Sequence, residues 1–225
     1  MVSMESDDCL YVSDKAYKCV WQITQKACES KWLSGISWPF TMSVSGSGYL
    51  IILRSSQPSN LEMYGLDACL LDEFKLPAIC QLPRHAVETS DGAFVILHKY
   101  KGSEGMVWSV SKVNRFGQIV RSFNPKGHSE ILHKPCHLVL GYDNEVFVAD
   151  PGRDNITQLD SDLRWSAESL TIAATRVHWP PRRLYYDAKE DTIYVGQEFG
   201  GVQVHKLDQN ADKKIMCSGR KIEDL

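Results

Sequence analysis

A proline followed by a short alternating strand recurs at four places, and this constrains the chain more than any other feature. The four units are Pro39-Phe40-Thr41-Met42-Ser43-Val44, Pro83-Arg84-His85-Ala86-Val87-Glu88, Pro135-Cys136-His137-Leu138-Val139-Leu140 and Pro181-Arg182-Arg183-Leu184-Tyr185-Tyr186. Their spacing is close to the roughly 40–50 residues of one β-repeat unit. Each is followed by a polar or glycine-containing dipeptide and then a more hydrophobic run. The dipeptides are Ser47-Gly48, Asp91-Gly92, Asp143-Asn144 and Glu190-Asp191, and the runs are residues 49–53, 93–97, 145–149 and 192–196. Short links of this composition between β-branched and aromatic runs predict hairpins. A third run in each unit alternates apolar and polar residues, at 61–64, 107–113, 156–159 and 202–207, as a strand with one packed face requires. Residues 9–13 and 19–23 carry the second and third strands of a further unit with no proline strand ahead of them, so the sequence reads as starting inside a repeat. Fourth strands are faint, the clearest being 118–123 after Phe116-Gly117.

Regularly repeated, four-stranded antiparallel units predict an all-β chain, a β-propeller of the NHL, YVTN or WD40 kind with about five to six blades, closed or truncated. No helical periodicity competes over a dozen residues. The 225 residues suit one large domain, expected over residues 1–208, with 209–225 as a tail or closing strand. The net charge of −3, with both signs mixed along the sequence, excludes a general attraction to phosphate. Seven scattered cysteines without a paired Cys-x-x-Cys spacing read as reduced, mostly buried thiols. The acidic beginning Met-Val-Ser-Met-Glu-Ser-Asp-Asp lacks a secretory pattern, which gives a cytoplasmic expectation and makes the sequon at Asn155 a chance match.

The segment from Pro135 to Asp160, P-C-H-L-V-L-G-Y-D-N-E-V-F-V-A-D-P-G-R-D-N-I-T-Q-L-D, resembles an NHL repeat. The resemblance extends to Pro181 through Asp208, with Gln197 in place of the usual Asp, and to Pro83 through Val113, with His98 there. It implies similarity to the C-terminal propellers of tripartite-motif proteins, which select a protein or RNA partner while a separate RING zinc domain transfers ubiquitin. The cysteines and histidines here cannot be set to RING spacing, so a ligase activity would belong to another polypeptide.

Candidate site residues follow from the repeat register. Thr41, His85, His137 and Arg183 each lie two residues after a proline, in equivalent places. Two histidines could share a divalent metal, but Arg183 would repel a cation and no third ligand falls in register, so neither a metal nor another cofactor is expected. Arg84, Arg182, Arg183, Arg153 and Trp179 lie at strand starts or nearby loops and could form a basic, aromatic-edged rim for a protein or for RNA. Glu88, Asp150, Asp154 and Asp187 lie close in sequence and favour local ion pairing instead. Asp14 and Asp150 end second strands and are expected to hold the following turns by accepting amide hydrogen bonds. Trp21, Tyr49, Phe94, Trp108, Phe147 and Tyr194 are the expected core aromatics, with Trp32, Trp38 and Trp165 less firmly placed. The functional expectation is a non-catalytic recognition module linked to ubiquitin-ligase pathways and binding a protein partner. The alternatives are a metal-dependent propeller hydrolase or lyase, and an RNA-binding propeller.

Overall fold

A computed structural model describes residues 2–4, 9–14, 16–24, 26, 29–36, 40–55, 58–103, 105–123, 132–164 and 179–207. Cys28, Trp38, Trp165, Cys217 and the tail from 209 lie outside them. Among the described residues there is no helix, and so none long and apolar enough to cross a membrane. The described residues hold eighteen strands in five antiparallel sheets, each a meander in which consecutive strands pair. The first holds β1 (Val2–Met4), β2 (Cys9–Asp14), β3 (Cys19–Thr24) and β4 (Glu29–Ser34). The second holds β5 (Phe40–Val44), β6 (Leu50–Arg54), β7 (Asn60–Tyr64) and β8 (Leu70–Lys75). The third holds β9 (Gln81–Glu88), β10 (Phe94–Gly102), β11 (Gly105–Val113) and β12 (Ile119–Phe123). The last two show three strands each, β13 (His137–Leu140), β14 (Val146–Asp150) and β15 (Asn155–Leu159), then β16 (Pro181–Asp187), β17 (Thr192–Gln197) and β18 (Val202–Lys206). The protein divides into two compact units, residues 1–105 with 112–120 and residues 106–111 with 121–225.

The hairpin turns explain the recurring dipeptides. The second residue of each, Gly48, Gly92, Asn144 and Asp191, has φ between 45 and 83°, where only Gly, Asn and Asp are comfortable. They are not two-residue links, however. In the second sheet the Gly48 N–H donates to Ser45 O at 3.1 Å and the Ser45 N–H donates to Tyr49 O at 2.9 Å. The same pair of bonds recurs at Thr89/Ala93 and Gly141/Glu145. This is a one-turn loop followed by a left-handed residue, which supplies the same reversal with one residue more.

β1 is a strand the sequence did not reveal. It pairs Val2 with Tyr11 and Met4 with Cys9, ahead of the first recognised run, and carries no proline to mark it. The outer strands β4 and β8 were also hidden, because β8 reads Leu-Leu-Asp-Glu-Phe-Lys with almost every side chain exposed and so has no period-two burial to detect.

In the first unit two apolar layers separate three successive sheets. Tyr11, Val20, Trp32, Leu50, Ile52 and Tyr64 fill one layer. Leu53, Leu61, Met63, Ala86, Phe94 and Ile96 fill the other. Trp32 sits edge-on between Tyr11 and Tyr64, with ring centroids 5.0 and 6.0 Å away, and its indole N–H donates to Leu66 O at 2.7 Å. Trp32 thus belongs to the core more fully than Trp21, Trp108 or Tyr194, which are half-buried, while Tyr49, Phe94 and Phe147 are buried as expected. Inner strands are also stitched across neighbouring sheets, the Ser43 hydroxyl donating to Ala86 O at 2.6 Å and Ser55 to Pro83 O at 2.6 Å.

At the turn end of the second layer, Glu88 collects hydroxyl donors from Ser45 and Tyr49 and a guanidinium bond from Arg115 at 2.7 Å. Burial, then the Glu88 hydrogen bond, pushes the Tyr49 phenol up to about 12 from 10.0. A folded value above the unfolded one means that stabilisation is complete below pH 10 and disappears as pH rises towards 12. Thermal unfolding followed from pH 9 to 12 is expected to show a steep alkaline fall in Tm in the parent. The fall is shallower in Tyr49→Phe, and equal slopes would remove Tyr49 from this account.

Candidate functional site

In the second unit, the inner strands β13 and β16 begin near His137, Arg182 and Arg183, with Trp179 just ahead of β16. β16 begins with a proline, which lacks an N–H and is tolerated at the first position of a strand. The register then slips. Pro181 lies opposite Gln197 but Arg183 lies opposite Gly196, so Arg182 is the extra residue of a β-bulge. From Leu184 onwards the pairing is regular, and Leu184, Ile193 and Val195 pack with Phe147, Ala149 and Ile156 of the preceding sheet.

Hydrogen bonds connect this end. His137 Nδ1 accepts the Leu184 N–H at 3.4 Å, and the Cys136 thiol points at Arg182 O, 3.3 Å away. The acceptor role at Nδ1 places the proton of a neutral ring on Nε2. The Arg182 guanidinium pairs with the Glu198 carboxylate, which holds it above its ordinary value, and the two side chains are 41% and 33% exposed. The Arg183 guanidinium, also exposed, donates to Arg182 O at 3.0 Å. The Glu198 N–H donates to Pro180 O and the Gln197 side-chain amide to Trp179 O, both at 3.2 Å. Trp179 and Phe199 meet with centroids 4.7 Å apart and planes at 58°.

Arg153 is exposed on the loop between β14 and β15, which Asp150 organises. The Asp150 carboxylate is fully buried and accepts N–H bonds from His133 at 2.6 Å, Lys134 at 2.8 Å and Gly152 at 3.0 Å. It therefore ties the following turn, as expected, and also the segment leading into β13. Gly152 is needed there because a Cβ would come within 2.9 Å of the Lys134 backbone nitrogen. Asp14 acts similarly on the Ala16 and Tyr17 amides.

Arg84 and His85 belong to the other compact unit, on β9. His85 is buried opposite Leu97, while Arg84 is exposed in the irregular start of its strand. Sequence reasoning missed Glu198 and Phe199. The available signal was an aromatic residue ahead of Gly200-Gly201, whose φ values of 94 and 97° require glycine and mark an exposed loop tip.

No protein-family model and no curated protein matches the sequence. Among solved structures it is similar to a gluconolactonase-like protein, with TM-score 0.64 and 14% identity over 88% of this chain and 70% of that one. It is also similar to a catalytically inactive virginiamycin B lyase from Staphylococcus aureus with quinupristin, at TM-score 0.55 and 15% identity, covering 89% and 77%. A third likeness is the WD40 β-propeller domain of Doa1, at TM-score 0.58 and 14% identity, covering 93% and 64%. The functional expectation needs correction against these. They carry no link to ubiquitin ligases, and two of the three are propellers of enzymatic type, so neither the ligase-linked module nor its non-catalytic character is supported.

Asp150→Ala is expected to lower unfolding free energy by about 3 kcal/mol, since three N–H groups lose a charged acceptor. Urea denaturation measures this, and a loss below about 1 kcal/mol would show that the carboxylate is not what holds the two segments together. The fold itself is settled by the sheets and these likenesses together: the protein is all-β, a β-propeller of antiparallel, mostly four-stranded blades.

Proposed function

We propose that this propeller is an enzyme of the lyase or hydrolase class acting on a cyclic small molecule, such as a lactone, at the end of the second unit where β13 and β16 begin. The observation that carries the reading is the delivery of His137 and of the bulged Arg182-Arg183 pair to one end by neighbouring inner strands, with the His137 ring held by a main-chain N–H. An imidazole at this place can act on an oxygen that gains negative charge when a carbonyl or leaving group reacts. Arg183 adds a permanent positive charge at the same end. Supporting the class are the fold likenesses to a lyase and a gluconolactonase-like protein. The inactive form of that lyase carries a histidine-to-alanine change.

A metal route is not part of the reading. Among the described residues no three His, Cys, Asp or Glu side chains are grouped to hold an ion, and two arginines lie at this end. An RNA strand is also a poor match, because Glu198 neutralises Arg182 and leaves little continuous positive surface. The NHL character of the repeat stays within this proposal as a feature of the blades, carried by the Asp150 anchor at the end of its second strand.

The test incubates the purified protein with glucono-1,5-lactone and with quinupristin, and follows acid release and ring opening. Turnover of at least one is expected, and His137→Ala is expected to reduce it about a hundredfold or more. Turnover unchanged in His137→Ala, or no turnover of either compound, would overturn the assignment.

A further inference from the structure

The loop joining β17 to β18 carries an aromatic pair to which the proposed function gives no role. Trp179 is 46% and Phe199 68% exposed, yet both rings are carried on anchored backbone. The Gln197 N–H donates to Gly201 O at 3.1 Å, closing the loop beneath Phe199. Gln197 and Glu198 each bond back to the residues around Trp179, at 3.2 Å. The two rings pack on each other, and each still leaves an aromatic surface open to solvent of the kind that recognition sites use.

The geometry narrows what is recognised. The two rings are in tilted contact with each other, so a ligand ring can stack only on an outer face that the pair leaves exposed. Glu198, the neighbour of Phe199 in the loop, pairs with Arg182, and together they offer planar donors and carboxylate acceptors that cancel each other's charge, with both groups partly open to solvent. A ligand that fits needs a ring with apolar C–H faces and a perimeter of neighbouring hydroxyls that both donate and accept. It needs no net charge. A fused aromatic ligand would leave the polar pair unused, and a polyanion would meet Glu198.

We infer that Trp179, Phe199, Arg182 and Glu198 form a binding site for a neutral pyranose ring. The inference deepens the proposed function by naming a sugar as the ring of the substrate, and rests on that reading only for the chemistry, not for the binding.

The site is tested with the intact protein and methyl α- and β-glucopyranoside and galactopyranoside as probes, read by saturation-transfer NMR and tryptophan emission. Benzyl alcohol and glucuronate are the controls. At least one neutral pyranoside is expected to bind. Phe199→Ala, at an exposed loop tip where folding is not at risk, is expected to weaken it about tenfold, in the range for losing one stacking surface. Glu198→Gln weakens binding as well, because the acceptor charge is lost. The pyranosides carry no lactone to open, so their binding is read without turnover, and a failure of the catalytic assignment leaves this site standing and the reverse. Three results would overturn the site: no pyranoside binding, binding indifferent to Phe199→Ala, or benzyl alcohol bound as well as the sugar without dependence on Glu198.

Discussion

The structure depends on burying both faces of the second strand in the three middle sheets. β6 and β14 are buried along almost their whole length, with burial on odd and even positions alike. A strand of that kind cannot lie in a sheet with one wet face, and it forces another sheet against each side. Within each compact unit, the layers around Trp32, Phe94 and Phe147 are the result. The hydroxyl and thiol contacts of Ser43, Ser55 and Cys136 follow from it, because they lie where the inner strands of adjoining sheets come closest.

How much of this was legible in the sequence varied with how each residue's environment is determined. Inner and middle strands announced themselves because burial on a pleated sheet imposes period two or a continuous apolar run. The turn dipeptides were legible because their left-handed positions are held by Gly48, Gly92, Asn144 and Asp191, residue types that favour that conformation, whereas the left-handed Lys18, Ala68, Leu82 and Leu163 gave no such signal. β4, β8 and β1 were not, since an outer or unmarked strand is defined by its partner's hydrogen bonds rather than by its own side chains. The candidate site was half legible. His137, Arg182, Arg183 and Trp179 stood out by register and chemistry, whereas Glu198 and Phe199 became visible only once the backbone had folded back at Gly200-Gly201.

The fold likenesses overturned the first functional reading, and the ion pairs show why the arginines had misled. A basic rim looked suited to a macromolecular partner when only the arginines were counted. In the folded protein Arg182 is neutralised by Glu198, and Asp150, which had counted as a diluting charge, is fully engaged with three backbone amides beneath the surface. Trp179 and Phe199 remain exposed on the residues adjoining this ion pair.

The bulge at Arg182 separates two jobs that a strand ordinarily performs together. Because the slip is confined to the residues between Pro181 and Arg183, the interlocking of Leu184, Ile193 and Val195 with the neighbouring sheet is insulated from whatever stands ahead of it. Residues 181–183 therefore form a short exchangeable cassette at the tip of a fixed wedge. A lineage carrying this blade could exchange, add or remove a side chain there and acquire a different ligand preference while the supporting architecture keeps its shape.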